Sequence, residues 1–117
     1  MDPIHERKLL GLIGLGIRGR GAIIGVQQVR EAVKRGKVHL AIAAADASSN
    51  SLDKVLPLLK ARGVSVVTVP SAIDLGGAAG RETTAVIGIV DKGLAKGIRA
   101  LCADQVPDVR MARGERV

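Results

Sequence analysis

The chain has no Phe, Tyr or Trp in its 117 residues, yet 47% of it is apolar. Its core must therefore be assembled from Val, Ile, Leu and Ala. A domain of this length removes roughly two-thirds of its unfolded surface from water, so an aliphatic core is feasible, and a disordered, collagen-like or disulfide-stapled chain is excluded. The same absence excludes modules that read single-stranded nucleic acid by stacking bases on rings. Cys102 has no second cysteine to bridge, and His5 and His39 stand isolated. Neither a metal nor another cofactor is expected, and a reducing, cytoplasmic setting fits.

Charge is distributed unevenly. Of 18 Lys and Arg against 11 Asp and Glu, a net +7, the first 37 residues carry eight cations and three carboxylates. Residues 38–90 balance at four of each, and residues 91–117 carry six and four. A basic N-terminal third has the footprint of a phosphate-binding surface, because neutralised phosphates release their counterions. The alternative reading is a solvated, solubilising face.

Arg7 and Lys8 ahead of the apolar stretch Leu9–Ile17 have the outline of a signal peptide. Asp2 and Glu6 spoil its positive end, and Arg18 and Arg20 occupy the place of a cleavage site, so an unprocessed cytoplasmic chain is expected. No apolar run approaches the ~18 residues of a membrane span.

Apolar spacing alternates between helical and strand signatures. Leu9–Ile17 reads as a short, glycine-weakened helix broken at Arg20 and Gly21; Ala22–Ile24 reads as a short strand. After a turn at Gly25, Val26, Val29 and Val33 recur at helical spacing until Gly36. Val38–Ala45 and Val64–Val69 are runs suited to strands buried on both faces, and Thr84–Val90 is a further strand. Leu52, Val55, Leu56 and Leu59 mark one helix; Ser71 with Asp74 has the form of a capping box before another. Leu94, Ile98, Leu101 and Cys102 line one face of the last helix, where Cys102 reads as a small buried hydrophobe. Strands alternating with helices predict a single-domain, three-layer α/β/α sandwich. It spans residues 1–104, with 105–117 as a basic tail.

Gly14-Leu15-Gly16-Ile17-Arg18-Gly19 matches the dinucleotide fingerprint GxGxxG, whose glycines admit a pyrophosphate to a helix N-terminus. Gly21 and Gly25 would fall inside the helix that motif requires, and Asp46 lies beyond the usual ribose-binding spacing of ~20 residues. A nucleotide-binding module built on Gly14–Gly19 is thus an alternative only. Asp46, Asp53, Asp74 and Glu82 have ordinary capping or loop roles, with no histidine in a comparable loop to share a proton transfer. No catalytic residue is assigned, and the chain is not expected to be an enzyme.

Three segments are informative together: Gly25-Val-Gln-Gln-Val-Arg-Glu-Ala-Val-Lys-Arg-Gly36, the strand ending in Ala-Asp46-Ala-Ser-Ser-Asn50, and Val69-Pro-Ser71 followed by Leu75-Gly-Gly-Ala-Ala-Gly80. Over residues 6–102 the chain resembles the ribosomal protein L7Ae/L30e family. Leu9-Leu-Gly11 and Asp91-Lys-Gly-Leu-Ala-Lys-Gly-Ile98 are similar to its bacterial YlxQ-like branch. The resemblance implies a mixed, four-stranded sheet and binding to structured RNA, typically a kink-turn, in a ribosomal or ribonucleoprotein setting. It places the contact surface on Gly25, Gln27, Gln28 and Glu31, and on the loop of Arg81, Glu82, Thr83 and Thr84. Glu31 stands where the family has lysine, Ala45 where it has glutamate, and threonines where its loop is apolar.

Physical reasoning adds Arg18, Arg20, Arg30 and Lys34 as the surrounding positive field, with the glutamine amides selecting exposed bases. The expected partner is structured RNA, ribosomal RNA or the ribosome included, bound by a monomer, with no membrane or DNA. The further alternative is a protein-interaction scaffold that has lost kink-turn specificity.

Overall fold

The computed structural model describes residues 2–103 and 105. Helix α1 runs from Pro3 to Arg18, longer than the apolar periodicity predicts. Asp2 starts it: its carboxylate accepts the His5 N–H at 2.9 Å, and Pro3 occupies the first helical position, where a missing N–H costs nothing. Strand β1 (Ala22–Ile24) leads through Gly25 into α2 (Val26–Lys34), as the valine spacing predicts.

Strand β2 (Leu40–Ala44) is buried along its whole length. The single helix predicted from Leu52, Val55, Leu56 and Leu59, ending at Gly63, is instead two, α3 (Ser49–Asp53) and α4 (Leu56–Ala61). Pro57 explains the break, because it has no N–H with which to continue the ladder back to Asp53. Strand β3 (Val66–Val69) corrects the expectation of burial on both faces, since Val67 and Val69 are buried but Thr68 is exposed. Helix α5 (Ala72–Ala79) begins with the Ser71 hydroxyl accepting the Asp74 N–H, half of the predicted capping box. Strand β4 (Val86–Ile89) and helix α6 (Lys92–Leu101) complete the described fold.

The sheet is mixed, in the order β1-β4-β2-β3. Strand β4 is antiparallel to both neighbours, pairing Ile24 with Ile87 on one side and Ile42 with Ile87 on the other, while β2 and β3 are parallel. Alternation along β2 sends Leu40, Ile42 and Ala44 toward α1, α5 and α6, and Ala41 toward α2 and α4. The large aliphatics Leu9, Ile13, Leu75, Ile87, Ile89 and Ile98 fill the first layer, with Cys102 among them. Val29, Val33, Val55 and Leu59 fill the second. Each fully buried side chain of this size contributes about 1.5–3 kcal/mol, so a ring-free sandwich is stable on aliphatics alone.

Strand β3 is an edge of the sheet, and Gln105 answers part of it. Its amide accepts the Thr68 N–H at 2.8 Å and donates to the Thr68 carbonyl at 3.1 Å. The remainder of the predicted basic tail, 106–117, lies outside the described residues.

Candidate nucleic-acid interface

One end of the sheet assembles the helix start and the loop that the sequence singles out. The β1–β4 ladder continues past Ile24, with the Gly25 N–H donating to the Val86 carbonyl at 3.0 Å. Helix α2 therefore begins against the first residue of β4. Gly25 holds φ 99° and ψ 151°, a conformation open essentially to glycine, and no side chain caps the helix. The N–H groups of its first turn therefore have no partner within the helix, and the positive end of the helix dipole lies at Gly25. Gln27 and Gln28 are exposed beside them, and the Gln28 Oε1 lies back over Gly25, 3.3 Å from where a Cβ would stand.

The loop of Arg81, Glu82 and Thr83 reaches the same end by folding back on α5. Gly80 closes that helix at φ 71°, and the Arg81 N–H returns to the Gly76 carbonyl at 2.8 Å. Gly76 lies directly beneath the loop: an added Cβ would stand within 3 Å of the Thr83 Cα and of the Arg81 and Glu82 carbonyls. Thr84 then anchors the loop through its N–H to the Ala72 carbonyl at 2.9 Å. Its hydroxyl is buried and has no hydrogen-bond partner among the described residues. Ala85 joins the sheet by accepting the Ala44 N–H, so β4 delivers the loop to the start of α2.

The other predicted residues are placed differently. Arg30 is half-buried, and its guanidinium donates to the Lys54 carbonyl, tying α2 to the α3–α4 connection. Glu31 and Lys34 are exposed and lie 4.0 Å apart along α2. Asp46 accepts the Ala72 N–H at 2.7 Å, which fixes the loop after β2 to the start of α5. Arg18 and Arg20 sit at the opposite end of β1, where the Gly21 carbonyl accepts from both Val90 and Asp91. That end is on the order of 15 Å from Gly25 at the rise of a strand.

Gly14–Gly19 forms the end of α1 and its cap. The strand–turn–helix context of a dinucleotide site is not formed there, because helix precedes the motif and strand follows it. Gly16 instead admits Leu94 of α6. Among the described residues no three His, Cys, Asp or Glu side chains gather to hold a metal, and no helix is long and apolar enough to cross a membrane.

Comparison with known proteins gives consistent matches. The model of the ribosomal protein L7Ae/L30e/S12e/Gadd45 family matches residues 8–105. The RNA-binding protein YlxQ of Bacillus subtilis is 30% identical over 90 residues, covering 77% of this chain and 90% of that protein. A Bacillus halodurans protein of unknown function superposes with a TM-score of 0.74 at 35% identity, over 80% of this chain and 95% of that one. The 15.5 kD RNA-binding protein of Giardia lamblia superposes with a TM-score of 0.73 at 25% identity, over 90% of each.

Proposed function

Because the chain belongs to the ribosomal protein L7Ae/L30e/S12e/Gadd45 family, we propose that it is a non-enzymatic, cytoplasmic RNA-binding protein that recognises structured, kink-turn-like RNA and associates with the ribosome or another ribonucleoprotein. The observation that carries this reading is the convergence of the uncapped start of α2 with the loop Arg81–Thr83 at the Gly25–Val86 hydrogen bond. The first-turn amides of α2 take a phosphate, Gln27 and Gln28 hydrogen-bond to unpaired base edges, and Thr83 packs against an extruded nucleotide without any aromatic ring. Arg81 adds positive charge at the rim, and Glu82 accepts from a base or a 2′-hydroxyl. Two RNA-binding relatives support the partner class.

Gel shifts on a kink-turn, a regular duplex and an unstructured strand of equal length test the reading. Preference for the kink-turn that survives raised salt is expected, because a shape-specific share of the affinity is not screened. Equal binding to all three would reduce the protein to a nonspecific polycation, and no binding at all would favour the protein-interaction scaffold.

A further inference from the structure

The end of the sheet opposite the α2 N-terminus carries a basic surface, distinct in position from the site at Gly25. Strands β1 and β2 both start there, on either side of the end of β4: Ala22 pairs with Ile89, and the His39 N–H donates to the Ile89 carbonyl. Two inter-strand spacings, about 10 Å, therefore separate Ala22 from Leu40, and Arg20 and Lys37 lie in the turns just ahead of these two strand starts. Helix α1 ends at this pole with Arg18, α2 ends with Lys34 and Arg35, and α6 begins with Lys92. All six cations are exposed. The nearby carboxylates are Asp91, whose Oδ2 accepts the Leu94 N–H at 2.7 Å, and Glu31, 4.0 Å from Lys34.

Two observations set this surface apart from ordinary solvated charge. Cations commonly collect at helix C-termini to answer the dipole, but the last carbonyls of α2 already have one. The Arg62 guanidinium donates to Val33 and Lys34 there, at 3.5 and 3.4 Å. Lys37 lies beyond the helix altogether. The second observation is the backbone of Arg20. Where the chain turns left-handed after α2, α4 and α5, the residue is Gly36, Gly63 or Gly80, at φ 70–71°. After α1 it is Arg20, at φ 62°, although glycines stand on both sides of it. A left-handed arginine is disfavoured where glycine would be free of strain, and such strain concentrates at functional positions.

We propose that this pole, anchored on Arg20 with Arg35 and Lys37, is a second RNA contact that grips the phosphodiester backbone of a helical arm extending from the segment held at the α2 N-terminus. The proposal rests on the RNA-binding reading above. No base readout is involved, since the contact is made by cations to phosphates. Its contribution is salt-dependent, and each phosphate contact adds about 0.7–0.9 to the slope of log affinity against log salt.

The test compares a minimal kink-turn stem with the same RNA extended on either arm. The proteins are the full chain, the triple variant Arg20→Gly/Arg35→Gln/Lys37→Gln, and the single variants Arg20→Gly and Gln28→Ala. The wild type is expected to bind the extended RNA with a steeper salt slope than the minimal stem. The triple variant should lose about 2–3 of that slope on the extended RNA alone. Arg20→Gly should hold or raise the thermal midpoint while weakening the extended RNA, a combination that a structural role for the side chain would not produce. Equal weakening of both RNAs by the triple variant, or of neither, would overturn the second contact. Extended RNA that binds no more steeply than the minimal stem would overturn it as well. If Gln28→Ala leaves both RNAs unaffected while the triple variant weakens the extended one, the second contact stands and the site at the α2 N-terminus is what fails.

Discussion

Gly76 lies so close beneath Thr83 that a methyl group on it would stand 2.7 Å from the Thr83 Cα. The obstructing atoms are backbone, so no rotamer change relieves the contact. The loop of the proposed interface is therefore shaped by a buried residue beneath it. Gly76→Ala is expected to lift the loop and destabilise the fold by about 1–3 kcal/mol, the usual cost of overpacking. Gly77, next to it on α5, has nothing within 4 Å of an added Cβ. Gly77→Ala should instead stabilise by up to about 1 kcal/mol through helix propensity. Thermal unfolding followed by circular dichroism separates the two, and only the Gly76 variant should also lose RNA affinity.

Gly25 combines φ 99° with a Cβ position 3.3 Å from the Gln28 Oε1. Gly25→Ala is expected to cost about 1–3 kcal/mol, because residues held in such backbone regions persist only under strain. The strain acts on the N–H groups at the start of α2, so RNA affinity should fall by more than the stability loss explains at temperatures where the variant remains folded. Unchanged affinity in a folded Gly25→Ala protein would remove α2 from the interface.

The fingerprint glycines of α1 give a third contrast. An added Cβ on Gly16 would approach the Leu94 Cδ2 to 2.1 Å, whereas one on Gly11 meets nothing within 4 Å. Gly11→Ala should stabilise by up to about 1 kcal/mol. Gly16→Ala should cost about 1 kcal/mol net, as Leu94 rotates away and loosens α6. Neither substitution should change the response of the thermal midpoint to added NAD or ATP, which would be nil for the parent chain too. A clear stabilisation by either nucleotide would revive the nucleotide-binding alternative.

Asp2 makes the stability of α1 depend on acid. The His5 backbone N–H, and then the His5 ring, hold its carboxyl below the usual carboxylate range. A depressed folded value means that the stabilisation is complete above the ordinary pKa of about 3.9, and is lost as pH falls through the lower, folded-state value. Asp2→Asn retains a capping oxygen but does not titrate there. The stability advantage of the parent chain over Asp2→Asn should therefore be present above the ordinary carboxylate pKa and shrink as pH falls below it. An advantage that is constant with pH would mean that the carboxylate charge contributes nothing to the cap.

Much of the fold is legible from residue order. The alternation of aliphatic runs with helical spacing predicts the sandwich, Val26, Val29 and Val33 place α2 after Gly25, and Ser71 places the start of α5. The misses have local causes. Asp2-Pro3 is a helix-start signal that lies ahead of the apolar stretch, so α1 reads as shorter than it is. Pro57 divides one apolar periodicity into two helices. Val66–Val69 is as apolar as an interior strand, and nothing in its composition reveals that it lies at the sheet edge.

For the site, the chain by itself determines the ingredients: an aliphatic core without rings, a basic N-terminal third, a glycine ahead of two glutamines, and a polar loop ahead of the last strand. These follow from side-chain chemistry and short-range spacing. Only the tertiary structure decides which of them share a surface. Strand β4, far along the chain and antiparallel to β1, brings the 81–83 loop to Gly25 and leaves Arg18 and Arg20 at the other pole, the end at which β2 also starts. The physical reason is that sheet pairing is a long-range choice. It is made by burying both faces of β2 and β4 at once, and strand direction then converts neighbours in sequence into opposite ends of the molecule.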